Sequence, residues 1–381
     1  MKLYTTTTLL AAAWASLAFA QAGQVAVDGD TLSGYPVISN LDLSAVPANT
    51  ISRYWISPAS ASGGLPYLLP LFVARGSPAS LATGPKLSVS GSVHGDEVNP
   101  VAVVLRFFAS LNASGAVTSG AFNGTVIGLP TVNPQGNLNN RRTFFSSAAS
   151  GMLYDLNRLF PGAAVADGAG IQDVYVASIW NNVWANGTNV DYAVDLHTLS
   201  TGSDGPLWCY ADYRLDGVRR IAELTQADVI KIDPGQEGTI ETTFVESGVP
   251  AITLEIGPAK AWTGPLIERS VEFLLRLAED LGMVEGGGGR RSGADLGETY
   301  ISTNFSDIVV SYSGWVEMNI APLDDVEEGQ EVGTVYSNWG DVLETLTSTV
   351  TGRVLTVAVD PAVEVGEGVA TLVYNETITE G

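Results

Sequence analysis

The chain has 381 residues, a formal net charge of −23 and a single cysteine. That charge excludes nucleic acid and anionic membrane surfaces as partners, because the protein's own field repels them. Cys209 has no second cysteine to pair with, so a hydrophobic core must carry the stability; about 360 mature residues can bury one, as two domains.

Residues 1–20 open on Met1-Lys2, run through the apolar stretch Leu9 to Trp14 and close on Ala18-Phe19-Ala20. This is the pattern of a secretory signal peptide, too short in its apolar part to span a bilayer. N-linked glycan acceptor sites at Asn112, Asn123, Asn186, Asn304 and Asn375 fit a secreted, extracellular glycoprotein. Residues 21–84 read as an irregular, strand-bearing approach to a layered α/β domain, the two together making a unit of 21–285. Within it Leu87, Val89, Gly91 and Val93 alternate as a strand, and Val98, Val101, Ala102, Leu105, Phe108 and Ala109 recur at helical spacing. A second alternation, Val190, Tyr192, Val194 and Leu196, ends at His197. A third apolar run, Val249 to Leu254, ends at Glu255, and a helix is predicted over 266–281. Residues 286–295, with four consecutive glycines from Gly286, form a linker by composition. Residues 296–381 are rich in Val, Thr and acidic side chains with regularly placed turn glycines, which predicts a small all-β domain.

His94 and His197 are the only histidines, and each falls at the end of a predicted strand, where ligands gather in open α/β sheets. Gly95 allows a sharp turn, and Glu97 is then expected in the first turn of the next helix. Two imidazoles and a carboxylate on one ion would leave a fourth position open, as a catalytic zinc requires. Spacing alone leaves a second reading standing: two unrelated core histidines, each hydrogen-bonded and inert.

Five segments in order resemble the succinylglutamate desuccinylase/aspartoacylase family, relatives of the zinc carboxypeptidases. They are Gly91-Ser92-Val93-His94-Gly95-Asp96-Glu97, Asn133-Pro134-Gln135-Gly136, Asp155 to Gly162, Asp195-Leu196-His197-Thr198 and Leu254-Glu255-Ile256-Gly257-Pro258. The resemblance covers roughly residues 65–285. It implies a three-layer α/β fold with a mixed central sheet and one Zn2+ per chain, held by His94, Glu97 and His197. It further implies that Glu255 is the catalytic acid and base, that Asn157 and Arg158 bind a substrate carboxylate, and that an arginine polarises the scissile carbonyl. A long insert, Thr143 to Tyr154, leaves Arg142 or Arg141 open for that last role, with Arg142 favoured. Asp195 could orient a metal-binding imidazole or simply bond backbone amides. Gly314-Trp315-Val316 and the glycine-punctuated segments after it resemble the biotinyl/lipoyl β-barrel sandwich fused to many family members. No lysine follows Lys260, so a swinging-arm carrier is excluded, and shaping the site entrance or domain packing is the expected role.

The expected activity is therefore hydrolysis of an amide in small N-acyl amino acids or short peptides that bear a carboxylate. Two rivals remain at this point: a true metallocarboxypeptidase, and a secreted protein that keeps the fold but turns nothing over.

Overall fold

The computed structural model describes residues 29–148, 151–285 and 299–376. The expected signal peptide and the 286–295 linker lie outside these residues. The alternating segments pair into one large mixed sheet. From one edge to the other its strands are Thr31–Leu32, Tyr35–Ile38, Thr50–Ile56, Leu69–Arg75, Thr125–Leu129, Lys86–Gly91, Tyr192–His197, Ala251–Ile256, Leu207–Ala211, Val229–Ile232 and Tyr300–Ser302. The middle of the sheet, from Thr125–Leu129 through Lys86–Gly91 and Tyr192–His197 to Ala251–Ile256, is parallel, and Leu207–Ala211 then runs antiparallel. Residues 21–84 are thus more than an approach: three full strands from this stretch extend the sheet.

Both faces of the sheet are covered, and the alternating side chains of its central strands divide between the two sides. Leu87, Val89, Leu196, Leu254 and Cys209 face a core shared with the helices Asn99–Ser114, Val218–Thr225 and Gly264–Asp280. On the other face Val93, Ile127, Leu129 and Ala193 meet Tyr175, Trp180, Trp184 and Phe244, which come from or flank the helices Ile171–Asn182 and Ile240–Glu246. Helix, sheet and helix give the three expected layers.

The C-terminal region folds as two packed antiparallel sheets around a valine-rich core that includes Val316, Val332, Val335, Val354 and Leu372. The boundary predicted at residue 296 needs correction. Tyr300–Ser302 pairs in parallel with Val229–Ile232 and belongs to the central sheet, so the β-region starts at Asn304. In return Ser203–Asp204 pairs with Gly352–Ala358, and Leu199, Trp208, Val229, Leu355 and Val373 form a shared apolar cluster. Backbone pairing in both directions, together with this cluster, ties the two regions together. No helix among the described residues is long and apolar enough to cross a membrane.

Candidate active site

Two rows of side chains on one sheet face make the floor of the site. His197, Glu255 and Trp208 stand in register on three neighbouring strands, and two residues along so do Asp195, Thr253 and Tyr210. The alternation of a strand explains the arrangement: Leu196, Leu254 and Cys209, which separate these pairs, point into the opposite core.

His94 and Glu97 reach the same place from the loop after Lys86–Gly91. Ser92, with φ at 53°, turns the chain out of the strand. Gly95 serves a close approach, since a Cβ there would lie 2.0 Å from the backbone carbonyl carbon of Gly136. Glu97 sits in the turn itself, its amide donating to the His94 carbonyl at 3.2 Å, and not in the first turn of the helix. The reason is Pro100 in the first turn of Asn99–Ser114: a proline lacks the N–H that an interior position must donate, so the helix starts after Glu97. Asn99 then braces the loop against Glu255's strand, donating to the Ile256 carbonyl at 2.7 Å and accepting from the Thr263 amide at 2.9 Å.

His94, Glu97 and His197 are all buried, and one donor atom from each lies within 4.8 Å of the others. Glu97 Oε1 is 2.7 Å from His94 Nδ1, and its Oε2 is 3.0 Å from His197 Nδ1. The outer nitrogens are also committed: His94 Nε2 donates to Asp155 Oδ1 at 2.9 Å and His197 Nε2 to Asp195 Oδ2 at 2.8 Å. Both imidazoles therefore turn Nδ1 inward and hold a carboxylate at Nε2, the arrangement that orients a metal-binding histidine and raises its basicity. Burial alone would raise the Glu97 carboxyl, but the imidazoles of His94 and His197 outweigh it and bring it down to about 2. His197 is raised well above its usual range, burial being overcome by Asp195 and Glu97. Two imidazoles and one carboxylate converging in a buried pocket fit a divalent metal ion with a fourth position left for solvent or substrate.

Asp155 is the residue that sequence reasoning passed over. Beyond His94 it accepts from Arg142 Nη2 at 3.1 Å and caps its own turn through the Asn157 amide at 2.9 Å. Its carboxyl is held well below the usual range; burial opposes this, and the His94 hydrogen bond and the charges of His94, Arg142 and Arg158 prevail. Its position inside the Asp155-Leu156-Asn157-Arg158 segment was the available signal. The Thr143–Tyr154 insert leaves the site intact because its ends pair: Phe144 faces Tyr154 in a two-stranded hairpin, which keeps Arg142 and Asp155 side by side at its base. Arg142 Nη1 also donates to Glu97 Oε1 at 3.1 Å. Arg141 is exposed and does not line the cavity, so of the two arginines only Arg142 is brought to the site.

Beside the triad opens a cavity of about 540 Å³ whose lining includes Arg142, Asn157, Arg158 and Glu255. Among the described residues Glu255 Oε2 is buried with no hydrogen-bond partner, and burial pushes its carboxyl up to about 8 against the pull of His197 and Arg142. Asn157 Oδ1 accepts the Ile240 amide at 2.9 Å. Its Nδ2 lies 3.3 Å from His197 Nε2, but that nitrogen already gives its proton to Asp195, which can only accept, so the amide N–H of Asn157 is left for a ligand. Arg158 spends one nitrogen on its neighbour's carbonyl, Nη1 to Asn157 O at 2.7 Å. The far wall comes from the C-terminal region through Phe305, Asp307, Leu355, Thr356 and Thr371, a contribution that no local pattern announces.

A sequence model of the succinylglutamate desuccinylase/aspartoacylase catalytic domain matches residues 83–281. The chain belongs to this family. Its members are hydrolases that deacylate small acylated amino acids. Among solved structures the fold is similar to a product-bound ectoine utilization protein from Ruegeria pomeroyi, at TM-score 0.68 and 19% identity, covering 85% of this chain and 94% of that one. It is also similar to a succinylglutamate desuccinylase/aspartoacylase from Rhodobacter sphaeroides, at 0.66 and 20%, covering 86% and 96%. An aspartoacylase family protein from Mesorhizobium loti gives 0.65 and 19%, covering 88% and 98%. Among curated proteins none matches significantly.

Proposed function

We propose that this family member is a secreted, zinc-dependent amidohydrolase acting on small N-acyl amino acids or short peptides that carry a carboxylate. The observation that carries the reading is the meeting, at one cavity, of the buried His94, Glu97 and His197 donors with the unpartnered carboxyl of Glu255. A zinc ion held by the two Nδ1 atoms and Glu97 would supply a Lewis acid and lower the pKa of water in the site. Glu255 takes a proton from the attacking water and returns it to the leaving nitrogen, a task suited to a carboxyl whose proton affinity burial has raised to about 8. Arg142, anchored by Glu97 and Asp155, faces the developing negative charge on the carbonyl oxygen. Arg158 and the free amide N–H of Asn157 grip the substrate carboxylate.

The direct test is release of a free amine by the zinc-loaded protein from a panel of N-acyl amino acids, run beside peptides with free C-termini. Turnover of the first set supports the reading. Turnover of peptides alone would make it a carboxypeptidase, and turnover of neither would leave a binding protein.

Arg158→Ala should mainly raise KM: Arg158 is exposed in the free protein, and losing a charge-assisted hydrogen bond to the substrate carboxylate costs about 1.5–3 kcal/mol. A substrate whose carboxylate is masked as an amide should lose little further in the variant. Equal losses on charged and masked substrates, measured by steady-state kinetics, would remove the clamp from the account.

Export is tested in a eukaryotic host, where the protein should leave the cell beginning at Gln21. Glycans are expected first on Asn112 and Asn186, whose side chains are exposed. Asn123 and Asn375 already donate their amides to the Gly282 and Ile301 carbonyls, at 3.2 and 2.8 Å. Terminal sequencing and glycosidase-induced mobility shifts check both points; residues 1–20 retained on the exported chain would refute cleavage.

A further inference from the structure

Glu241 is a carboxyl that neither the metal-binding group nor proton transfer uses. It stands in the first turn of the helix Ile240–Glu246, is 3% exposed and lines the cavity. The Thr242 hydroxyl accepts from the Gln236 amide at 3.0 Å and gives its own proton to Glu241 Oε2 at 3.0 Å. Among the described residues no hydrogen bond reaches Oε1 and no lysine or arginine pairs with this side chain. Burial, and after it the carboxylates of Asp212, Asp195 and Asp233, raise Glu241 to about 8 against the Thr242 hydrogen bond. Each of those three has a cationic or imidazole partner, Arg214, His197 and Lys231 respectively for Asp212, Asp195 and Asp233, whereas Glu241 has none.

Its position relative to the carboxylate clamp is fixed by backbone contacts. The Ile240 amide is held by Asn157, and a Cβ on Gly238 would lie 2.4 Å from the Arg158 backbone, so the start of this helix rests directly on the clamp. A second group in the same cavity also lacks its partner: Trp208, 3% exposed, has a buried indole N–H that meets no acceptor among the described residues. The wall therefore offers donors for an acceptor-bearing end and, at Glu241, a buried carboxyl without a cationic partner for a positive one.

Resting on the amidohydrolase reading above, we infer that Glu241 is a specificity-determining residue that selects substrates whose side chain ends in a cation. The substrate class is N-acyl derivatives of lysine-like, ornithine-like or arginine-like amino acids, with the ammonium or guanidinium group at Oε1. The α-carboxylate lies on Arg158 and Asn157, the scissile carbonyl at the His94, Glu97 and His197 end, and the side chain runs toward the helix start.

The test compares kcat/KM of the zinc-loaded full chain for Nα-acetyl-lysine and Nα-acetyl-norleucine, side chains alike except for the ammonium group. The wild type should prefer the lysine substrate by about tenfold or more, the size expected when a desolvated charge finds its partner. Glu241→Gln should bring that ratio to about one through loss on the lysine substrate. Equal kcat/KM values in the wild type, or equal losses on both substrates in the variant, overturn the inference. Should Glu241→Gln fail to fold, as judged by its melting curve, inhibition of the wild type by free lysine and free norleucine decides: lysine should act at about one-tenth the concentration, and equal inhibition overturns the assignment. Turnover of other N-acyl amino acids without any preference for a cation would defeat this inference alone. With no turnover at all the amidohydrolase reading fails, and calorimetric binding of lysine against norleucine still tests Glu241, equal affinities counting against it.

Discussion

Glu255→Gln should lower kcat by about 10² to 10⁴, the range typical of losing a positioned proton carrier. Glutamine keeps the shape of the side chain, so the row it shares with His197 and Trp208 should persist, but its amide cannot accept a proton from water and pass it on. The folded state should survive. The native carboxyl is already unpartnered at Oε2 and raised by burial, so replacing it with a neutral group of the same size breaks no hydrogen bond at that oxygen. Metal content should be unchanged, because Glu255 lies outside the group formed by His94, Glu97 and His197. Single-turnover kinetics, elemental analysis and a thermal melt on one preparation separate these effects. Activity within about threefold of wild type would show that the proton is carried by another group.

Much of this site could be read from the chain because its residues sit at the ends of strongly patterned strands. Asp195, Leu196 and His197, or Thr253, Leu254 and Glu255, alternate between a polar face and the core, and a period of two assigns the first and third of each trio to one side. What stayed hidden depends on long-range contact. Asp155 meets His94 across 61 residues of separation, and no local spacing expresses that. The cavity wall from Phe305, Asp307 and Thr371 follows from strand pairing between distant segments. Thr50–Ile56 joins the sheet next to Leu69–Arg75, but most of its side chains are only half-buried, so its apolar alternation is blurred and the stretch reads as irregular. Glu97 was misplaced by two residues because helical periodicity runs on upstream of Pro100, where the backbone cannot follow it. In the C-terminal region composition conveyed the class of structure but not the boundary: Tyr300–Ser302 has the character of that region and the partner of the other.

Glu97→Ala should abolish metal retention and with it activity, whereas Asp155→Asn should weaken both only in part. Glu97 is the one group that touches both inward-facing nitrogens, and it also accepts from Arg142 Nη1 and from the Thr198 amide at 3.2 Å. Without it two imidazoles remain as donors and the Arg142 guanidinium is left facing them, so a cation is opposed where it was held. Zinc after dialysis should fall from about one equivalent to below about one-tenth, and kcat/KM by more than about 10³. The melting temperature of the metal-free protein should fall too, since Arg142 loses one of its acceptors and the Thr198 amide loses the Glu97 carboxylate. Asp155→Asn differs because an asparagine carbonyl can still accept the proton of His94 Nε2; what is lost is the charge and the acceptor for Arg142 Nε and Nη2. Partners of this kind are worth about 10- to 100-fold in metal affinity, so Asp155→Asn should bind metal when it is supplied in excess and recover activity, while Glu97→Ala should not. Elemental analysis and activity titrated against added zinc distinguish the two. A Glu97→Ala protein that keeps a full equivalent of metal, or an untreated wild type indifferent to chelators, would remove the metal centre from this part of the fold.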